Sequence, residues 1–402
     1  MLSFAEAQSK LLALAAPLAA ERVALDDAMG RVLAGDVLAP VDFPRFDYSA
    51  MDGYAVRLAD FEGDGPWTLP VRGESKTGGR PGVLEARAAC RIFTGAELPE
   101  GADAIVMQED VTRDGADARF VKRPMADRFI RRRGEDLTRG AVAIANGTRL
   151  RAAHLGVVAA ADLAWLTVAR RPVVTLLATG DELRVPGTAD RPGTIAESNC
   201  VALRAMAERA GARAIVGPFV PDEVAATERA IDDALASSDV VVTIGGVSVG
   251  DHDLVRPALE KVGVTLEFWK VAIKPGKPLA VGRRGRAIVI GLPGNPSSAM
   301  MTFALFGLPF LRALQGDTRP FPSPMPATLA TDVKREPGRL EFARATLARG
   351  PGGWVASILP NQASGAVTTM ANADAVVLLP ADRGALAAGT TVDMLLLEDL
   401  GA

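Results

Sequence analysis

Residues 240–253 read VVVTIGGVSVGDHD. A run of apolar and β-branched residues from Val240 to Ile244 enters the glycine pair Gly245 and Gly246, and Asp251 and Asp253 close the stretch. Such a run bounded by glycine predicts a buried strand. The missing β-carbons at Gly245 and Gly246 let a ligand approach the backbone closely. Successive N–H groups in a loop of this kind can cradle a phosphate. Ser248 adds a hydroxyl, and the two aspartates suit a hard cation such as Mg²⁺. Taken alone, the stretch reads equally well as a glycine-rich turn with solvated aspartates, because short glycine motifs recur by accident.

Outward from this strand the pattern stays regular. Upstream, residues 173–178 form a short apolar run rich in β-formers. Residues 199–210 predict a helix with Val201, Ala202, Ala205 and Met206 on one stripe and Gly211 at its stop. A strand over 215–220 and a helix over 223–236 follow. Downstream, strands over 264–269 and 287–290 precede a helix beginning near Ser297. This alternation predicts a doubly wound, mostly parallel sheet covered on both faces, spanning 170–319. Ligands of such sheets bind outside the carboxyl ends of the strands.

The flanking regions differ. Residues 41–140 carry short strand-like runs, such as 104–107 and 120–122, punctuated by Gly and Pro, and predict a β-rich inserted domain. On either side, 1–40 and 141–169 read as one elongated region, with a helix from Ser3 and a helical pattern around 154–166. Pro320, Pro322, Pro324 and Pro326 mark a stiff linker. Beyond it, strands over 327–333, 340–347, 354–359, 375–379 and 391–397 predict a small C-terminal β-domain, 320–402. The expected fold class is therefore multidomain, α/β plus β, and 402 residues accord with two to four domains.

Composition narrows the chemistry. A net charge of −3 gives no footprint for DNA or RNA. Cys90 and Cys200 are the only cysteines, which excludes a disulfide scaffold and a cysteine zinc site. With His154 and His252 the only histidines, a Ser-His-Asp triad has few builders. The apolar stretch 299–311 is shorter than the roughly 20 residues of a bilayer span and contains Pro309, so it predicts a buried helix. Residues 11–20, LLALAAPLAA, have the length of a signal-peptide core. However, Glu6 precedes them, and Ser3 with Glu6 forms a capping box. The expected location is cytoplasmic.

Further motifs lie at the predicted strand ends. Residues 291–298, GLPGNPSS, hold a loop fixed by prolines, where Ser297 or Ser298 can cap the following helix. A helix start offers free N–H groups and the positive end of a dipole to an anion. Residues 269–278, WKVAIKPGKP, can bring Lys270, Lys274 and Lys277 near the same strand end, and residues 179–182, TGDE, add a carboxylate pair. Within the insert, Asp52-Gly53 is also a common hairpin turn. FTG at 93–95 says little by itself, and RRRGED at 131–136 is by default a solvated charged loop.

Taken together, FDYSAMDGYA, IFTGAELPEGAD, RRRGED, ATGDEL, GGVSVGDHD, WKVAIKPGKP and GLPGNPSS occur in the order of one family and over almost the whole chain. The sequence resembles the MoeA family, the molybdopterin molybdenumtransferases that include the C-terminal domain of gephyrin. The resemblance implies transfer of molybdenum from molybdate to adenylylated molybdopterin, with loss of AMP and with Mg²⁺. It also implies a homodimer whose site lies between the α/β domain of one subunit and the insert of the other. By matching motifs it assigns catalytic roles to Asp52, Asp136, Glu182, Asp222, Asp253 and Lys274. Substrate contacts fall on Thr94, Arg131, Gly245, Gly246, Ser248, Lys270, Lys277, Pro293, Pro296 and Ser298, with Arg344 and Ser364 as oxyanion contacts in the C-terminal domain. The implied Mg²⁺ ligands are Asp52, Glu182 and Asp253. Further implied partners are the adenylyltransferase of the preceding step and recipient molybdoenzymes.

Three departures stand out: Glu197 where an aspartate is common, His252 at a variable place, and a tail over 362–374 without the arginine and asparagine of many relatives. Alternative readings are a molybdopterin adenylyltransferase, whose similar α/β domain often stands alone, and a gephyrin-like scaffold. A nucleotide-dependent oxidoreductase is disfavoured because no G-x-G-x-x-G follows a strand.

Overall fold

The computed structural model describes residues 1–246 and 254–401. Every residue of the strand Val240–Ile244 is buried, as its unbroken apolar run requires. It lies inside a six-stranded sheet of order Arg213–Val216, Val173–Ala178, Val240–Ile244, Ala287–Leu292, Pro278–Arg284, Thr265–Lys270. The first four strands are parallel, and the last two run antiparallel to their neighbours. The sheet is mixed because residues 285–286 close a two-residue hairpin, with Arg284 opposite Ala287 and Gly285 at φ +62°. Sequence reasoning assigned no strand to Pro278–Arg284, since a proline, a glycine and two arginines mask its apolar centre.

Alternate side chains of the central strands feed two cores. Val174, Leu176, Val240, Val242, Ile288 and Ile290 pack with the helix Asn199–Arg209 and the long helix Pro296–Leu314. Leu177, Val241 and Val289 pack with Ile231, Leu235 and Leu259 from the helices Val224–Ser237 and Val255–Lys261. The sheet is covered on both faces, as its pattern predicted. By length and composition Pro296–Leu314 could cross a membrane, but 83% of its apolar window is buried inside the fold. A π turn at Phe303–Gly307 interrupts it. A β-carbon at residue 307 would lie 2.2 Å from the Phe303 ring, so glycine is needed there.

The N-terminal helix Phe4–Leu12 carries the expected capping box. The Glu6 N–H donates to Ser3 Oγ, and the Ser3 N–H donates to Glu6 Oε2. Its Ala7 and Leu11 join the first α/β core, and the Phe4 ring meets Phe306 and Phe342 edge-on. The chain then forms Ala20–Ala24, antiparallel to Trp165–Ala169. The helix expected around 154–166 is Ala152–Ala160, and the residues from Trp165 onward are strand instead. Asp162 at φ +63° breaks the pattern between them.

The insert is a six-stranded sheet of order Ala104–Met107, Gly53–Val56, Ala89–Ile92, Trp67–Ser75, Asp117–Phe120, Val111–Asp114. At the C-terminus, Leu340–Gly350, Gly353–Ile358, Met325–Leu329, Thr391–Leu396 and Ala375–Leu379 pair in turn, and the last returns to the first. This closes a five-stranded barrel, which removes its edges. The short strand Ile273–Lys274 of the α/β unit adds in parallel to Leu340–Gly350.

Candidate functional site

Three loops converge at the carboxyl edge of the α/β sheet. Hydrogen bonding continues past the strand ends: the Thr179 N–H donates to the Ile244 carbonyl at 3.1 Å, and the Gly245 N–H donates to the Leu292 carbonyl at 3.0 Å. A β-carbon at Gly245 would stand 2.9 Å from Thr179 Oγ1, and one at Gly246 would stand 2.5 Å from Val255 Cγ2. Both glycines have positive φ, so backbone shape and close packing exclude side chains together. Gly294 passes over the same place, since a β-carbon on it would lie 3.5 Å from Gly245 Cα. Asn199 Nδ2 fixes this third loop by donating to the Gly294 carbonyl at 2.8 Å, while Asn199 Oδ1 is buried and has no hydrogen-bond partner among the described residues.

Carboxylates stand at the same edge. Glu182 is exposed and folds over Gly180, where a β-carbon would lie 2.3 Å from its Oε2. The Asp222 N–H donates to Asp181 Oδ1 at 3.2 Å, which brings a second acidic pair to the adjacent strand end. Gly245, Gly246, Pro293, Glu182 and Asp222 are therefore brought together. Ser248, Asp251 and Asp253 lie outside the described residues.

The lysines sit on the hairpin joining Thr265–Lys270 to Pro278–Arg284, with Lys270 opposite Pro278. Gly276, at φ +100°, lets this hairpin press against the long helix, because a β-carbon would lie 2.3 Å from Thr302 Oγ1. Thr302 is buried, and its hydroxyl donates to the Ser298 carbonyl at 2.6 Å. Lys274 and Lys277, both exposed, are thus tied to the helix start that carries Pro296 and Ser298. Asn295 occupies the position before the first helical residue but makes no side-chain cap, and neither serine caps the helix. Ser297 instead joins the barrel: its N–H donates to the Ser364 carbonyl at 3.0 Å and its Oγ to the Ala366 carbonyl at 2.7 Å.

Arg344 lies fully buried on the barrel side of this junction. Its Nη1 donates to Ser297 Oγ at 2.7 Å, its Nε to Gln362 Oε1, and its Nη2 to the carbonyls of Asn361 and Ala363. Among the described residues no carboxylate forms an ion pair with it, and burial pushes its pKa below the ordinary guanidinium value. Arg344 and Ser364, which the resemblance gives as oxyanion contacts, thus both bond to Ser297 at this helix start. Sequence reasoning missed Ser297, Gln362 and Asn199 as the residues that hold the loops. Only their places beside the motifs could have pointed to them.

The insert holds its own group. Asp52 Oδ1 accepts both the Thr94 N–H and the Thr94 hydroxyl at 2.8 Å, and the N–H foremost keeps this carboxyl below its usual pKa. Arg131 pairs with Glu135 at 2.8 Å. Both line a cleft of about 690 Å³ with Asp136, Arg45, Phe46 and Tyr48. Hydrogen bonds and ion pairs of the insert run within it or to the flanking region, as in Arg45–Asp162, and none reaches the α/β unit among the described residues. His154 Nδ1 accepts the Arg151 N–H at a helix start, a structural task. Both cysteines are buried and free, and burial drives the Cys200 thiol up to about 12.

Three family models tile the chain: the MoeA N-terminal region (domain I and II) at residues 2–161, a probable molybdopterin binding domain at 175–313, and the MoeA C-terminal region (domain IV) at 326–397. A molybdopterin molybdenumtransferase of Haemophilus influenzae is 38% identical over 399 residues, covering 98% of each chain. One from Bacillus subtilis is 34% identical over 392 residues, covering 94% of this chain and 90% of that protein. A crystal structure of the molybdopterin biosynthesis moeA protein from Pyrococcus horikoshii matches with a TM-score of 0.86 at 27% identity, covering 98% and 100% of the two chains. With every region matched in order and relatives aligned along nearly its full length, this chain belongs to the MoeA family, the molybdopterin molybdenumtransferases.

Proposed function

We propose that this protein transfers molybdenum from molybdate to adenylylated molybdopterin, releasing AMP and giving molybdenum cofactor. The observation that carries the reading is the pairing of two anion-seeking features across one loop. Gly294 meets Gly245 of the central strand, while Ser297 meets Arg344 and the lysine hairpin presses on Thr302 further along the same helix. On this reading the phosphates of the substrate lie along the loop of Gly245, Gly246 and the Gly294 turn, where the missing side chains let an anion approach the backbone. Lys270 neutralises charge at the same edge. Molybdate, a tetrahedral dianion, lies against Lys274, Lys277, Ser298, Arg344 and Ser364. The sulfur ligands of the product belong to the pterin, so the protein needs no cysteine cluster.

We further propose that the protein acts in the cytoplasm as a homodimer. The elongated region exposes Met29, Leu38, Val142 and Trp165, an apolar set that a second copy would cover. Asp52, Thr94, Arg131 and Asp136 of one subunit would then complete the α/β cleft of the other. The adenylyltransferase of the preceding step and recipient molybdoenzymes are the proposed further partners.

The donor set fits Mg²⁺ in kind, being carboxylate oxygen, and Mg²⁺ commonly takes one or two carboxylates with substrate phosphates completing its shell. Glu182, Asp253 and the partner's Asp52 would hold it. When bound it supplies positive charge to the phosphoanhydride. Ionised Asp52, held by Thr94, keeps its orientation without protein rearrangement. Lys274 and Lys277 offset charge as AMP leaves.

The test is AMP release from adenylylated molybdopterin by purified protein, with and without molybdate. Molybdate-dependent release is expected. Equal release without molybdate overturns the transfer reading, and ATP consumption with free molybdopterin favours the adenylyltransferase instead.

A further inference from the structure

Glu341 stands directly across from Lys274 in the parallel pairing of Ile273–Lys274 with Leu340–Gly350. Its Oε1 meets Lys274 Nζ at 2.9 Å, and its Oε2 lies 3.5 Å from Arg335 Nε. The side chains of Glu341 and Arg335 are 11% and 6% exposed, whereas that of Lys274 is 51% exposed. The carboxylate is therefore anchored from the barrel side, and the lysine is the partner free to swing. Arg335 is held in place by the carbonyls of Pro380, Arg383 and Arg339 as well, and Glu341 is the one carboxylate paired with it among the described residues. The pair opens on a cavity of about 650 Å³ that Lys334, Arg339 and Gln362 also line. Gln362 also accepts from Arg344, so the cavity extends from the lysine to a direct neighbour of the buried guanidinium.

We infer that Glu341 is a positioning and specificity-determining residue that acts as a resident anion on Lys274, which an incoming oxyanion has to displace. The inference rests on the proposed role of Lys274 in taking molybdate. A carboxylate already on the lysine sets a threshold: a dianion with several donors at the junction replaces it, while an anion that relies on Lys274 alone does not. Glu341 thereby trades affinity for discrimination.

The probe is molybdate, titrated calorimetrically into the full-length protein as wild type, Glu341→Gln, Lys274→Ala and the double variant. Glu341→Gln should tighten molybdate binding about threefold to fivefold, the scale of a half-exposed ion pair. The gain should vanish when Lys274 is alanine. Glu341→Asp keeps a carboxylate for Arg335 but is one methylene short of Lys274. It should tighten binding by a smaller factor, which preserves the test if the glutamine variant folds poorly. Unchanged or weaker binding in both variants, with an unchanged melting temperature, overturns the inference. A gain that persists without Lys274 overturns it too, because a general field effect would then suffice. AMP release is read in parallel. Wild type that binds molybdate but releases AMP without it refutes the proposed function and leaves the ion-pair result standing.

Discussion

Gly276→Ala perturbs the contact that ties the lysine hairpin to the helix start. Two costs are separable. At φ +100° an alanine is strained by about 1–3 kcal/mol. Its methyl would also lie 2.3 Å from Thr302 Oγ1, and overpacking of this kind costs about 1–3 kcal/mol more. The next atom, Ile273 Cδ1 at 3.2 Å, ends a side chain that can give way. Thr302→Ala alone loses one buried hydrogen bond, to the Ser298 carbonyl, worth about 0.5–1.5 kcal/mol. It also removes the clashing oxygen, because Thr302 Cβ would be 3.6 Å away. The double variant should therefore be more stable than the sum of the singles by about 1–3 kcal/mol, while the φ strain remains. Urea unfolding of all four proteins measures that coupling, and the molybdate half-saturation of AMP release follows the lysines. Gly276→Ala should raise half-saturation, and adding Thr302→Ala should return part of it. Additivity within about 0.5 kcal/mol would refute the packing argument. Recovered stability without any recovered affinity would mean that the contact does not position Lys274 and Lys277.

Mixing an Asp52→Asn chain with an Asp253→Asn chain should restore AMP release in the heterodimer, which would own one intact site; no recovery despite verified subunit exchange counts against a shared cleft. Because its folded pKa is lowered, Asp52 contributes stability that is full above the unfolded value, about 3.9, and is lost as pH falls through the depressed folded value. Carboxyl NMR should show it titrating below that value, and Thr94→Val should raise it only in part, since the valine N–H still donates; no upward shift refutes the role given to the hydroxyl. Arg344→Met should cost about 2–4 kcal/mol, because Ser297, Gln362 and two carbonyls lose a donor at a buried junction. A change in unfolding free energy below about 0.5 kcal/mol would show the guanidinium to be dispensable to the junction.

The strands Val240–Ile244, Ala104–Met107 and Ala375–Leu379 lie where sequence reasoning expected them. In Val240–Ile244 and Ala375–Leu379 burial on both faces forces a continuous apolar run. Pro278–Arg284 was hidden because its ends are polar and its pairing depends on a hairpin, which is set by turn geometry and not by hydrophobicity. The helix expected to reach residue 166 failed for a related reason. A run such as 155–166, rich in Ala, Leu and Val, fits either period, and pairing of Trp165–Ala169 with Ala20–Ala24 decides it from far away in sequence. At the site, glycines and lysines were visible because their chemistry is local. Glu341 and Gln362 were not, since each matters only through a neighbour 18 or more residues away in the chain.

The loop over residues 293–298 joins two regions that attract negative charge. At one end Gly294 lies against Gly245, and at the other Ser297 accepts from Arg344. Between them Asn295 and Pro296 open a helix whose N–H groups point the same electrostatic way. A buried guanidinium beside a helix N-terminus is a repulsive pairing that its hydrogen bonds only partly offset. Under the proposed function, a dianion at the junction would offset that repulsion. The loop is also rigid, with prolines at 293 and 296 and anchors from Asn199, Ser364 and Ala366. Under the proposed function, an oxyanion at one end and phosphates at the other would therefore share a single stiff wall. That arrangement would couple the two sites electrostatically: two negative ligands on one short wall would repel, and the departure of AMP would relieve them.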